Sequence, residues 1–120
     1  LVDGGIDQRI ATSWLRDPRR HVAIALDGAR PVGIAFASHS PRGAGGAELV
    51  VGHMVVAASH RRRGIGRRLL ARLLAHGRAL GCATATAEAR RDDAAMRRLC
   101  ATVGGVEQRD PVVRVSFPLD

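Results

Sequence analysis

Lysine, asparagine and tyrosine are absent from this sequence, and arginine carries all 19 of its positive charges. Such a bias is the mark of a GC-rich coding sequence, so the arginine count alone says little about function. Aromatic residues make up only 2%. The core must therefore be built from Ala, Val, Leu and Ile, and a base-stacking surface for single-stranded nucleic acid is excluded. Cys82 and Cys100 are 18 positions apart without a CxxC pattern, which excludes a disulfide framework or a zinc site. The histidines are scattered, with no HxxxH pair, and no metal centre is expected. No apolar run approaches ~20 residues and no secretory leader is visible, so a reduced cytoplasmic compartment is the default. The sequence opens LVDGG without methionine, so residues preceding Leu1 are expected in the natural protein.

What is present suits one ordinary domain. The chain has 120 residues, 46% of them apolar, enough to bury a stable core. Its net charge of +8 attracts anions: nucleic acid, anionic lipid or a phosphorylated cofactor. It disfavours a free polycationic substrate.

Hydrophobic spacing divides the chain into nine elements. Residues 6–15 read as an amphipathic helix with Ile6, Ile10, Trp14 and Leu15 on one face, ended by Asp17-Pro18. Two apolar runs, 21–26 and 31–38, flank Asp27-Gly28 and predict a hairpin. A turn rich in Gly and Pro, 40–47, leads to a third strand, 48–57, whose Gly52 predicts a bulge or a close backbone approach. Gly64 opens the longest helix, to about Leu80, with a stripe of Ile65, Leu69, Leu70, Leu73 and Leu74. A strand at 82–89 follows. Asp92 or Asp93 then caps a helix with Ala95, Met96, Leu99, Cys100 and Val103 in register. Strands at 106–110 and 112–117, around Pro111, close the chain. Residues 48–89 have the length of a parallel strand–helix–strand crossover, while the hairpin before them must be antiparallel. The expected fold class is α/β (α+β): a mixed, mostly antiparallel sheet with helices on both faces.

The segment HRRRGIGRRLL, His60 to Leu70, lies between a strand and a helix. At a helix start the first amides lack partners and the macrodipole is positive. Glycines at 64 and 66 let the backbone approach an anion, and Arg61, Arg62, Arg63, Arg67 and Arg68 add charge that suits phosphate. A P-loop is excluded because its lysine is missing. A dinucleotide fingerprint is excluded because Leu69 stands where its third glycine would be.

The remaining pattern, Arg61-x-x-Gly64-x-Gly66 after the strand Met54-Val55-Val56-Ala57, resembles the pyrophosphate motif of the GNAT superfamily, the acetyl-CoA-dependent N-acetyltransferases. Further along, Asp93-x-x-Met96-x-x-Leu99-Cys100-x-x-x-Gly104-Gly105 occupies the frame of that family's second signature. The element order is similar to the family fold without its first strand and helix, so residues 1–120 are expected to form one acyl-CoA N-acyltransferase-like domain. The resemblance implies a splayed parallel strand pair with pantetheine in the gap, paired to the backbone of Val55, Val56 and Ala57. It implies acetyl-CoA as co-substrate, with the pyrophosphate on the backbone of Arg62, Arg63, Gly64, Ile65, Gly66 and Arg67, and with Arg61 and Asp93 beside it.

Acetyl transfer needs a base for the acceptor ammonium, a donor for the oxyanion and a proton for the leaving thiolate. A strand amide near Val55 or Val56 would serve the oxyanion. His53, Glu48 and Glu88 are the candidate bases, and Glu88 is favoured by its expected place near the splay. Each also has a purely structural reading. Where the family carries a tyrosine acid this chain has Cys100, a thiol on the apolar face of its helix, and Asp93 replaces an asparagine. The expected partner is a small-molecule primary amine that is not polycationic, with no nucleic acid or membrane; a homodimer is compatible. Two other readings remain open: a CoA-binding module without transferase activity, and a basic nucleic-acid-binding protein.

Overall fold

The structure, a computed structural model, describes residues 8–40, 46–108 and 113–119. Its elements are α1 (Gln8–Trp14), β1 (Arg20–Asp27), β2 (Arg30–Ser40), β3 (Glu48–Val56), a short 3-10 turn (Ala58–His60), α2 (Ile65–Ala79), β4 (Thr84–Ala89), α3 (Ala94–Thr102), β5 (Val106–Gln108) and β6 (Val113–Pro118). The strands form one sheet in the order β1-β2-β3-β4-β6-β5. Only β3 and β4 run parallel, joined by α2 as the crossover; the other neighbours are antiparallel. The mixed sheet expected from the order of apolar runs is therefore the sheet observed.

The hairpin turns where Asp27-Gly28 predicts it: Asp27 faces Arg30 across the two-residue loop, and Gly28 takes φ 61°. In α2 the stripe Ile65, Leu69, Leu70, Leu73 and Leu74 is buried as its spacing requires. It packs on Ala35, Ala37, Leu49, Val51, Ala85 and Ala87 of the sheet. Small alanines on the strands let the long leucines of the helix approach, which is how a chain with few aromatics closes its core. On α3, Met96, Leu99, Cys100 and Val103 join the same core, whereas Ala95, expected in that stripe, is exposed.

The opposite face of the sheet carries a smaller cluster of Ala11, Ile34 and Phe36, with Trp14, Val22 and Val55 around it. Here the sequence reading of α1 is corrected. Ile10 and Leu15 are exposed; Ala11 and Trp14 make the contact. Trp14 decides the helix's rotation, because its indole N–H donates to the carbonyls of His21 (3.1 Å) and Ala37 (3.2 Å). Its ring meets Phe36 edge-on at 5.5 Å. Ile6, most of the 40–47 turn and Pro111 lie outside the described residues. No described helix is long and apolar enough to cross a membrane.

Candidate active site

The site begins with a mismatch between β2 and β3. Ala35 faces Met54 and Ala37 faces Val51, so Phe36 alone stands against two residues, Gly52 and His53. This is the bulge that Gly52 predicts; a Cβ there would lie 3.5 Å from the Phe36 carbonyl oxygen. A bulge bends its strand and increases the local twist. The parallel ladder between β3 and β4 runs only from Glu48/Thr84 to Val51/Ala87. Beyond the bulge β3 continues to Val56 and β4 to Ala89, with no ladder between those ends. The two strands form a V whose mouth opens where the bulge begins.

Backbone direction along the open arm follows from one hydrogen bond. Ala57 N–H donates to Val32 O at 2.8 Å. Antiparallel residues alternate between turning both backbone groups toward the partner and turning both away. Ala57 and Val55 therefore face β2, and Met54 and Val56 face the gap. The expectation that Val55, Val56 and Ala57 all offer their backbone to a ligand is corrected accordingly: Val56 faces the gap, its neighbours do not, and Met54 was missed. The two-residue period of a strand is the signal that could have found it. On the gap side, Arg61 Nε donates to Val56 O at 3.2 Å, which ties the first motif residue to the strand end.

The turn into α2 is shaped by left-handed residues. Arg62 takes φ 65° and Gly64 takes φ 77°, ψ 13°. The helix is closed first by Arg68 N–H to Gly64 O at 3.1 Å, and no side chain caps Gly64. The amides of Ile65, Gly66 and Arg67 thus have no acceptor within the helix. A Cβ on Gly64 would point into open space, whereas one on Gly66 would touch Leu99 at 3.4 Å and Met54 Sδ at 3.6 Å. The two glycines differ in purpose: Gly64 sets the turn, and Gly66 seats the helix against β3 and α3.

The candidate side chains separate by face. Leu49 and Val51 point to the α2 side, so Glu48 points to the α1 side. Val51 and Met54 both pack on the α2 side, which leaves Gly52 and His53 together on the other. Ala85 and Ala87 belong to the core under α2, so Glu88 also points to the α1 side, where it is exposed. Glu48, His53 and Glu88 therefore share one face, with His53 and Glu88 on the two arms of the V just past its last paired residues. Cys100 lies on the other side, 1% exposed, and burial pushes its thiol up, with lesser contributions from Glu107 and Asp93. Asp93 caps α3: its Oδ1 accepts from Met96 N–H at 3.0 Å. Glu107 is gripped by Arg97, Nε to Oε2 at 3.0 Å and Nη2 to Oε1 at 2.8 Å. That pairing holds its carboxyl below the ordinary glutamate value.

Histidines outside the V form contacts that sequence spacing could not foretell. His60 Nε2 meets Asp27 Oδ2 at 2.8 Å, and its Nδ1 meets Ser59 Oγ at 2.7 Å. The His60 hydrogen bond lowers the Asp27 carboxyl. His21 stands between His39 (2.6 Å) and His76 (3.1 Å). A cavity of about 980 Å³ lies between β1 and α2, bounded by Ala25, Leu69, Arg68, Arg72 and His76. It is separate from the V, since neither Met54, Val56 nor Glu88 lines it.

A bulged strand splaying from its parallel neighbour, followed by a left-handed turn into a helix start, is an arrangement with known counterparts. Residues 4–104 match the model of the acetyltransferase (GNAT) family. The chain belongs to that family. It is thus an acetyltransferase of the GNAT type, and the family's acetyl donor is acetyl-CoA. Solved structures agree on the fold. The GNAT domain of PAT from S. lividans superimposes with a TM-score of 0.77 at 23% identity, covering 95% of this chain and 70% of that one. The ribosomal-protein-S18-alanine N-acetyltransferase from Escherichia coli gives 0.75 at 19%, covering 96% and 78%. An aminoglycoside N-acetyltransferase in complex with CoA gives 0.73 at 19%, covering 86% and 81%. No curated protein sequence matches the chain at a significant level.

The residues of this chain fit the family's co-substrate. The open Cβ direction at Gly64, the first-turn amides with no acceptor in the helix and the unladdered end of β3 at Met54 and Val56 follow one another along the chain. Oriented N–H groups at a helix start suit a pyrophosphate, and an open strand edge suits the amides of a pantetheine arm.

Proposed function

We propose that this acetyltransferase acts on the primary amine of a small molecule that is not polycationic. Acetyl-CoA supplies an activated acetyl group as a thioester. The amides from Arg62 to Arg67 hold its pyrophosphate, with Arg61, Arg62, Arg63 and Arg67 as electrostatic support. Met54 and Val56 offer backbone groups to the pantetheine arm, and the Val56 N–H is the donor nearest the mouth of the turn. Arg61 acts through the strand end to which it is bonded, and Asp93 acts as a helix cap.

Glu88 takes the acceptor's proton, because only the free amine can attack. It is exposed, one residue past the last paired position of β4 in the β3–β4 ladder. His53, across the mouth, and Glu48, at the paired end of β3, are the second and third candidates. Cys100 has no proton-donating role: its thiol is sealed in the core, where ionisation is disfavoured.

One observation carries this reading: the β3–β4 ladder ends at Val51/Ala87, at the bulge, and the unpaired end of β3 leads within a few residues to the Gly64 turn. The acceptor class follows from charge, since a net charge of +8 repels polycations. Release of CoA measured across a panel of amines tests it. Turnover is expected with neutral or anionic primary amines such as amino acids. Turnover with aminoglycosides or polyamines alone overturns the acceptor assignment.

A further inference from the structure

The loop between β3 and α2 must hold a row of backbone amides in one orientation, yet it contains two residues in left-handed conformations and no buried apolar side chain between Ala58 and Gly64. Its left end is fixed by the Ala57 N–H bond to Val32 O, and a 3-10 turn follows, closed by His60 N–H to Ala57 O at 2.9 Å. His60 is the last residue of that turn and directly precedes Arg61-x-x-Gly64. Its imidazole is only 12% exposed, although Asp27, its partner, is 66% exposed. Asp27 ends β1 at the hairpin turn, 33 positions away in sequence. A carboxylate only accepts, so His60 Nε2 carries the proton and donates to Asp27 Oδ2. In the neutral ring Nδ1 is then the acceptor, and Ser59 O–H donates to it. Both ring nitrogens are engaged, and the ring cannot turn without breaking one bond.

We propose that the Asp27–His60–Ser59 chain positions the amide loop, fixing it to the β1–β2 hairpin so that the Arg62–Gly66 backbone is preorganised for a pyrophosphate. This rests on the reading of that loop as the acetyl-CoA cradle. His60 and Asp27 are positioning residues: they act through the backbone at 61–66, not on the reacting atoms. Preorganisation improves binding by removing an ordering cost, so it appears in affinity and not in the chemical step. An exposed ion pair contributes little, and here one partner is exposed. The expected effect is accordingly modest, roughly three- to fivefold.

The test compares His60→Ala, Asp27→Ala, the double variant and His60→Gln, whose side-chain N–H can still reach the Asp27 carboxylate. CoA affinity by calorimetry, acetyl-CoA KM and kcat, and hydrogen exchange of the 62–66 amides are measured on each. Each single alanine variant should weaken CoA binding and raise KM by that factor, leave kcat unchanged, and speed exchange at 62–66. The double variant should be no worse than either single one, and His60→Gln should restore most of the affinity. Unaltered affinity and exchange in His60→Ala, with wild-type CoA binding intact, overturns this inference alone. Additive losses in the double variant also overturn it. Absence of CoA binding in the wild-type chain overturns the cradle reading first, and this inference with it.

Discussion

Gly64 and Arg68 lie one helical turn apart, yet different physics makes each matter. Gly64 sits at φ 77°, where a β-branched residue is a true outlier, and a Cβ there would point into open space, which the proposed cradle gives to the pyrophosphate. Gly64→Val is expected to abolish CoA binding in calorimetry. Arg68 lines the cavity beside β1, so Arg68→Ala is expected to weaken binding only about twofold, the scale of one exposed charge. The reverse order would show that guanidinium groups, not amides, hold the phosphates. Glu88→Gln keeps shape and removes the proposed base; steady-state kinetics should show kcat down roughly 10²-fold with acetyl-CoA KM unchanged. If His53→Gln instead produced that loss, the base would lie on the other arm of the V.

At the scale of elements, α3 and β5 depend on two local contacts. The Asp93 cap satisfies an amide that the helix cannot, and Asp93→Ala is expected to cost about 1 kcal/mol, read as a lower midpoint in thermal or urea unfolding. Glu107 joins β5 to Arg97 of α3, and the pairing depresses its carboxyl pKa. A depressed folded pKa contributes stability that is present above the unfolded value and lost as pH falls through the folded one. The difference in midpoint between wild type and Glu107→Gln should therefore be present at neutral pH and vanish below the ordinary glutamate range. The pair is exposed, so the difference is small. A gap that persists unchanged in acid would mean that Glu107 acts through packing.

The whole molecule is cationic, and its co-substrate is a polyanion. Attraction between them is long-ranged and screened over ~8 Å at physiological ionic strength. Acetyl-CoA KM is expected to rise several-fold between low and high salt, while kcat changes little. A salt-independent KM would mean that binding rests on the amide path alone. The core is thin in aromatics but contiguous across α2, α3 and the one face of the sheet they cover. Leu70→Ala, at a fully buried position on α2, should cost ~2–5 kcal/mol in denaturant unfolding.

Local pattern was enough for much of this. Periods of two and near four placed the elements, Asp27-Gly28 gave the hairpin, Gly52 the bulge, and Arg61-x-x-Gly64-x-Gly66 between strand and helix gave the family. These are legible because backbone geometry and chain connectivity act over a few residues. Tertiary structure decided the rest. It turned α1 onto Ala11 and Trp14 because the indole found two carbonyls on the sheet. It gave Met54 and Val56, not Val55 and Ala57, the open edge, because β2 claims every second residue. It put Cys100 beneath the sheet and Glu48, His53 and Glu88 above it, and it joined Asp27 to His60 across 33 positions. Each of these depends on which surface meets which, and a contact between distant segments leaves no period in the sequence that forms it.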